Sequence, residues 1–171
     1  MTTDDRWTQF KKTARQQLSF VDKPTFLESF VEYECEPSFQ PIFNLQIIWT
    51  DKSAKWRCAQ WNVSVDRSKF FELDGKTKVV LSQPEPTINV NSGIARPDLL
   101  TDVIVHIRQL KISPRIDRLK MFTLDGSINT LSLGIDDLRT TYSWHTLPDE
   151  WEGLKKLVDM LHDTQKLLEQ T

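Results

Sequence analysis

IFNLQIIWTDKSAKWRCAQWNVSVD, residues 42–66, reads as two strands joined by a short polar turn, and that reading decides the fold class. Phe43, Leu45, Ile47 and Trp49 alternate with Ile42, Asn44, Gln46 and Ile48, the period-two pattern of a strand. Residues 51–54 make the turn. The return strand is expected over 55–66, with Ala59, Trp61, Val63 and Val65 on one face and Trp56, Cys58, Gln60, Asn62 and Ser64 on the other. Such a hairpin has an apolar side to bury and a largely polar side that carries one tryptophan.

Working outward, residues 29–36 form another expected strand, with Val31, Tyr33 and Cys35 opposite an evenly spaced acidic set, Glu28, Glu32, Glu34 and Glu36. Ahead of it, residues 4–18 place Trp7, Phe10, Ala14 and Leu18 on one helical stripe beside Arg6, Lys11, Lys12 and Arg15. Downstream, Asp74-Gly75 signals a turn into a short strand over 76–82. Residues 83–97 hold three prolines and a glycine, which makes them loop-rich, with a brief strand at 87–90 and a possible internal linker. Pro97 then opens a helix with Leu99, Val103, Ile107 and Leu110 as its stripe, widened by Leu100 and Ile104; the β-branched residues between Val103 and Ile107 favour the competing strand reading. A second hairpin is expected from 119–124 and 128–133 around Asp125-Gly126, followed by a strand over 139–144. The last element is an amphipathic helix entered at Pro148, with Trp151, Leu154, Leu157, Val158, Leu161 and Leu168 in line. The class is α+β: an antiparallel sheet of hairpins with helices packed on one face, N- and C-terminal amphipathic helices included, in a single domain over 1–171.

Composition narrows the function classes. The chain has 171 residues, 39% apolar and 27% charged, which is a globular balance. No apolar run approaches the roughly 20 residues that span a bilayer, and no apolar stretch follows the polar N-terminus, so a cytoplasmic location is expected. A formal charge of −2 gives no pull toward nucleic acid or an anionic membrane. The two cysteines, Cys35 and Cys58, do not make a four-ligand zinc set and read as ordinary thiols, so no metal is expected. Five scattered glycines contain no phosphate-binding loop, and no cofactor is expected.

Catalytic constellations are sparse. His106, His145 and His162 lack the helical spacing of a metal pair, there is no G-x-S-x-G elbow, and neither cysteine sits in a catalytic context. His145, beside Trp144 and near Asp149 and Glu150, is the one histidine placed like a general base; with Asp136 and Asp137 it defines a hydrolase alternative. The basic run Arg108, Lys111, Arg115, Arg118 and Lys120 reads as a solvated face. More distinctive is the acidic stripe, which a basic partner or the sheet's own Lys55 or Arg57 would neutralise. Of the six tryptophans, Trp7, Trp49, Trp61 and Trp151 follow apolar stripes, leaving Trp56 and Trp144 as candidate contacts.

Leu124-Asp125-Gly126, Leu131, Gly134, Tyr142-Ser143-Trp144 and Leu147-Pro148 lead into Trp151, Leu154, Leu157-Val158 and Leu161. Over about residues 119–162 this pattern resembles the strand–strand–strand–helix ending of small bacterial proteins, including inhibitors of the emfourin type and toxin-neutralising immunity proteins. The resemblance implies a non-enzymatic protein whose work is binding another protein. The acidic stripe suggests that the partner is basic, and the expected mechanism is steric occlusion through the polar face of the first hairpin and the acidic strand. Glu32, Glu34, Trp56 and Gln60 are the expected contacts, and a structural subunit of a larger assembly is the remaining alternative.

Overall fold

The computed structural model describes residues 3–19, 24–25, 28–38, 40–75, 85–111, 126–135, 138–147 and 149–170. Helix α1 (Thr3–Leu18) is followed by strands β1 (Ser29–Glu36), β2 (Ile42–Trp49) and β3 (Ala54–Trp61), helix α2 (Val63–Gly75) and strand β4 (Ile88–Ala95). A 3₁₀ turn (Pro97–Leu100) leads into α3 (Thr101–Gln109); strands β5 (Ile128–Ile135) and β6 (Leu138–Trp144) come next. A second 3₁₀ turn (Asp149–Trp151) opens α4 (Glu152–Leu168). The six strands make one sheet in the order β4-β3-β2-β1-β5-β6. Every pairing is antiparallel. The α+β class and the antiparallel sheet are as expected from the alternating strands.

Alternation along each strand divides the side chains between two faces. The first face carries Val31 and Tyr33 of β1, Leu45, Ile47 and Trp49 of β2, Trp56 and Cys58 of β3, and Leu131 and Leu133 of β5, all buried. Against it pack Val103 and Ile107 of α3 and Leu154, Leu157, Leu161 and Leu168 of α4. Each such aliphatic side chain stabilises the fold by about 1.5–3 kcal/mol on burial. His106 ties the two helices together, its Nε2 donating to the Gly153 carbonyl at 2.9 Å. The segment entered at Pro97 is therefore helical, with Leu100 rather than the more exposed Leu99 turned inward.

The second face is covered only in part. Phe10, Ala14 and Leu18 of α1 and Phe70 of α2 bury Ile42, Ala59 and Trp61 at one end of β2 and β3. Helices thus lie on both faces, which corrects the one-face expectation: an apolar patch on β3 opposite α4 needs its own cover. Arg57 fastens α1 there by donating to the Leu18 and Gln17 carbonyls at the helix C-terminus.

Two sequence readings are corrected near this patch. Residues 62–66 do not prolong β3 but start α2, because Asn62 caps the helix: its Oδ1 accepts from the Val65 backbone N–H at 3.2 Å and from Ser64 Oγ at 2.9 Å. β4 is also longer than the brief strand expected. The expected strands at 76–82 and 119–124 lie outside the described residues, as do 83–84 of the possible linker; β5 is paired on both sides, with β1 and β6. Cys35 and Cys58 are free thiols. Among the described residues, no helix is long and apolar enough to cross a membrane.

Candidate functional site

Register turns the open part of the second face into polar rows that cross the whole sheet. One row runs Ser92–Arg57–Gln46–Glu32–Ser132–Thr141, and the next Val90–Ala59–Asn44–Glu34–Thr130–Ser143. The hydroxyls pair across β5 and β6, Ser132 with Thr141 at 3.0 Å and Thr130 with Ser143 at 3.3 Å. At the centre, Asn44 Nδ2 donates to Glu32 Oε1 at 3.0 Å. Apart from Val90 and Ala59 these rows are polar, and their β1, β5 and β6 side chains are suited to water or a polar partner rather than to a further helix of the same chain.

Glu32, Glu34 and Glu36 share this face, opposite Val31, Tyr33 and Cys35, while Glu28 precedes β1 and accepts instead from Thr25. The close ion pairs of the stripe come from α1, Arg15 pairing with Glu36 and reaching Glu34 at 4.0 Å, while Arg57 and Lys55 of the sheet attract Glu32 and Glu28 without a close pair among the described residues. Burial pushes the Glu34 carboxyl above its ordinary value. Glu32 and Glu36 push the same way, and the opposing effects of Arg15 and Asn44 are smaller than the desolvation.

A carboxyl raised in this way favours folding most while protonated, below its ordinary value of 4.5, and that contribution is lost as pH rises through the raised value. Glu34→Gln is therefore expected to raise the melting temperature near neutral pH and to converge on the parent protein at acid pH. A melting temperature lowered at neutral pH would refute the assignment.

Beside Glu32 the face is hollowed into a cavity of about 570 Å³, lined by Ser19, Phe30, Glu32, Gln46, Ser132, Arg139 and Thr141 among others. Gln46 is 3% exposed and Asn44 fully buried, yet among the described residues Gln46 Oε1 and Asn44 Oδ1 accept no hydrogen bond. Buried carbonyls are nearly always satisfied, so two orphans in adjacent rows are a specific feature of this face.

Trp56 is corrected: it is buried in the first-face core, its indole lying against Gly93, and is not a surface contact. Gln60 is exposed but shares Trp56's face, beside Asn89, Asn91 and Glu169. The structure therefore brings Glu32 and Glu34 together and places Gln60 on the opposite side of the sheet. Gln46, Ser132, Thr141 and Arg139 were missed. The turn length could have revealed Gln46, since pairing Trp49 with Ala54 sets Gln46 opposite Arg57 and beside Glu32.

The first face offers a groove of about 630 Å³ between Tyr33, Trp144, Asp149, Lys155 and Asp159. Trp144 lines it half-buried; His145 is exposed and is not among its walls, and Asp136 and Asp137 lie outside the described residues. His162 packs between Tyr33 and Phe43, with ring centroids 5.5 and 5.4 Å away, and burial lowers its pKa. Burial likewise pushes the Cys58 thiol up to about 12, which leaves it protonated and unreactive near neutrality. Of the basic run, Arg108 closes α3 and Lys111 follows it, both exposed; Arg115, Arg118 and Lys120 lie outside the described residues. Among the described residues no three His, Cys, Asp or Glu side chains are grouped to hold a metal ion. The chain matches no family model and no curated protein.

Proposed function

We propose that the chain is a non-enzymatic protein-binding protein, an inhibitor or immunity-type protein that occludes a partner with the polar second face of its sheet. The observation that carries this reading is the pair of polar rows through Glu32 and Glu34, half-buried on β1 and β5, exposed at Thr141 and Ser143 of β6, and adjoining the buried Asn44 and Gln46. Glu34 supports it further. A carboxylate desolvated at a cost to the fold is the kind of trade expected where a surface is shaped for binding. Arg15 already serves Glu34 and Glu36, so Glu32 is the carboxylate best placed to receive a basic group of the partner.

Tagged parent chain and variants, used against the native extract and then against the captured protein in purified form, test the surface. Glu32→Gln combined with Glu34→Gln is expected to weaken association about tenfold and to flatten its salt dependence. Gln60→Lys, on the opposite face, is expected to leave it unchanged. The reverse pattern would move the interface to the first face and defeat the proposal.

A further inference from the structure

We infer that the cavity beside Glu32 is a binding site for a small zwitterion of the α-amino-acid class, its ammonium held by Glu32 and its carboxylate by Arg139. The site goes beyond the partner reading; it shares Glu32 with that surface, while Arg139 lies outside the two polar rows assigned to the partner.

Three observations converge. First, the cavity has an acceptor end, the half-buried Glu32 carboxylate over the buried Gln46. An ammonium group is complementary to that carboxylate, whereas a ligand carboxylate there meets repulsion. Second, the same cavity has a donor end. Arg139 lies in the neighbouring row, paired with Gly134 and thence Phe30; its guanidinium stands 5.1 Å from the centroid of the Phe30 ring and donates to the Thr25 carbonyl at 3.2 Å. A guanidinium has five N–H donors, so this anchoring orients the group and still leaves it able to receive an anion.

Third, the two ends do not neutralise each other. No ion pair joins Glu32 to Arg139 among the described residues. Strand geometry, two strands across and two residues along, separates their Cα atoms by about 12 Å. The opposite walls of the cavity thus carry opposite charges that are not paired with each other, although Glu32 also accepts from Asn44 and is attracted by Arg57. A molecule with both charges is complementary to these walls. Between the ends, the Ser132–Thr141 hydroxyl pair and the Phe30 ring offer both polar and apolar contact, and about 570 Å³ admits a side chain beyond the zwitterionic head.

Calorimetric titration of the full chain with glycine, L-serine and L-leucine tests the site directly. At least one is expected to bind saturably with Kd of about 1 mM or tighter. For L-leucine, blocking the carboxylate as the methyl ester, or the amine as the N-acetyl derivative, is expected to weaken binding at least about tenfold. Glu32→Gln and Arg139→Gln are each expected to do the same while the thermal transition shows the variants folded. Absence of saturable heat with all three amino acids overturns the inference. So does an ester or N-acetyl derivative that binds as well as the parent amino acid, since either shows a site that reads one charge. The blocked analogues need no variant, so the inference stays exposed even if a substitution unfolds the chain. Because Glu32 serves both readings, Arg139→Gln and Glu34→Gln separate them: the first is expected to weaken amino-acid binding and leave the partner's association unchanged, the second to do the reverse.

Discussion

Asp66→Ala is expected to destabilise the protein by about 3–5 kcal/mol in denaturant unfolding, although Asp66 lies in neither the main core nor the candidate site. Its carboxylate is 2% exposed and accepts two hydrogen bonds on one oxygen, from the Trp61 indole Nε1 at 2.8 Å and from the Thr87 backbone N–H at 2.7 Å. It therefore ties the end of β3, the first turn of α2 and the approach to β4 into one knot. Alanine leaves both donors in a place water does not reach, and each costs about 1–3 kcal/mol unpaired. Its position in the first turn of α2 adds a smaller favourable interaction with the helix dipole. Asp66→Asn keeps an oxygen that can accept both bonds and is expected to cost only about 1 kcal/mol. An alanine variant within about 1 kcal/mol of the parent protein would show that the two donors find other acceptors. Hydrogen exchange at the Thr87 amide reads the same bond locally: it should quicken in the alanine variant and hold in the asparagine one.

The same knot explains where the sequence misleads. Trp61, Val63 and Val65 alternate as a strand would, and the mixed polar residues between them read as its solvated face. The chain in fact changes element at Asn62. The cap was visible as an asparagine followed by an acid in the first helical turn, but period-two alternation outweighed it. Extending the strand then mislabelled Trp56. Grouped with Asn62 and Ser64 it looks like an aromatic on a polar face; within β3 as it stands, its neighbours are Cys58 and Ala54, all buried. The elements that were legible are those with one strong periodic signal: α1, β1, β2 and α4. The acidic stripe was legible too, since β1 alternates cleanly. What sequence spacing does not provide is pairing between distant strands. Placing β5 beside β1 brings Ser132 next to Glu32, and placing β6 beyond it brings in Arg139, across about 100 residues of chain in each case. The cavity depends on that closure, so it has no local signature.

Gly134→Ala is expected to be the most damaging single-methyl addition in the sheet, costing about 2–4 kcal/mol in denaturant unfolding. Nothing about the backbone at Gly134 demands glycine; space does. A Cβ there would stand 2.2 Å from Cε1 and 2.5 Å from Cδ1 of Phe30, far inside any tolerable contact. The ring lies flat over the glycine from the neighbouring strand, 8% exposed, with the Arg139 guanidinium above it. To admit the methyl, the ring must swing out, which exposes Phe30 and dislodges Arg139, or β1 and β5 must part at the centre of the sheet. The first costs less and predicts a definite coupling. Phe30→Ala alone removes a buried ring and is itself destabilising, but it also removes the atoms that the new methyl meets. The double variant Phe30→Ala with Gly134→Ala should therefore be more stable than the sum of the single effects allows, by more than about 1 kcal/mol. Additive effects would show that the strain at Gly134 lies in the backbone and not against the ring. The same experiment bears on the zwitterion site: a ring that moves takes the guanidinium's platform with it, so Gly134→Ala should weaken amino-acid binding while leaving the Glu32–Asn44 hydrogen bond in place.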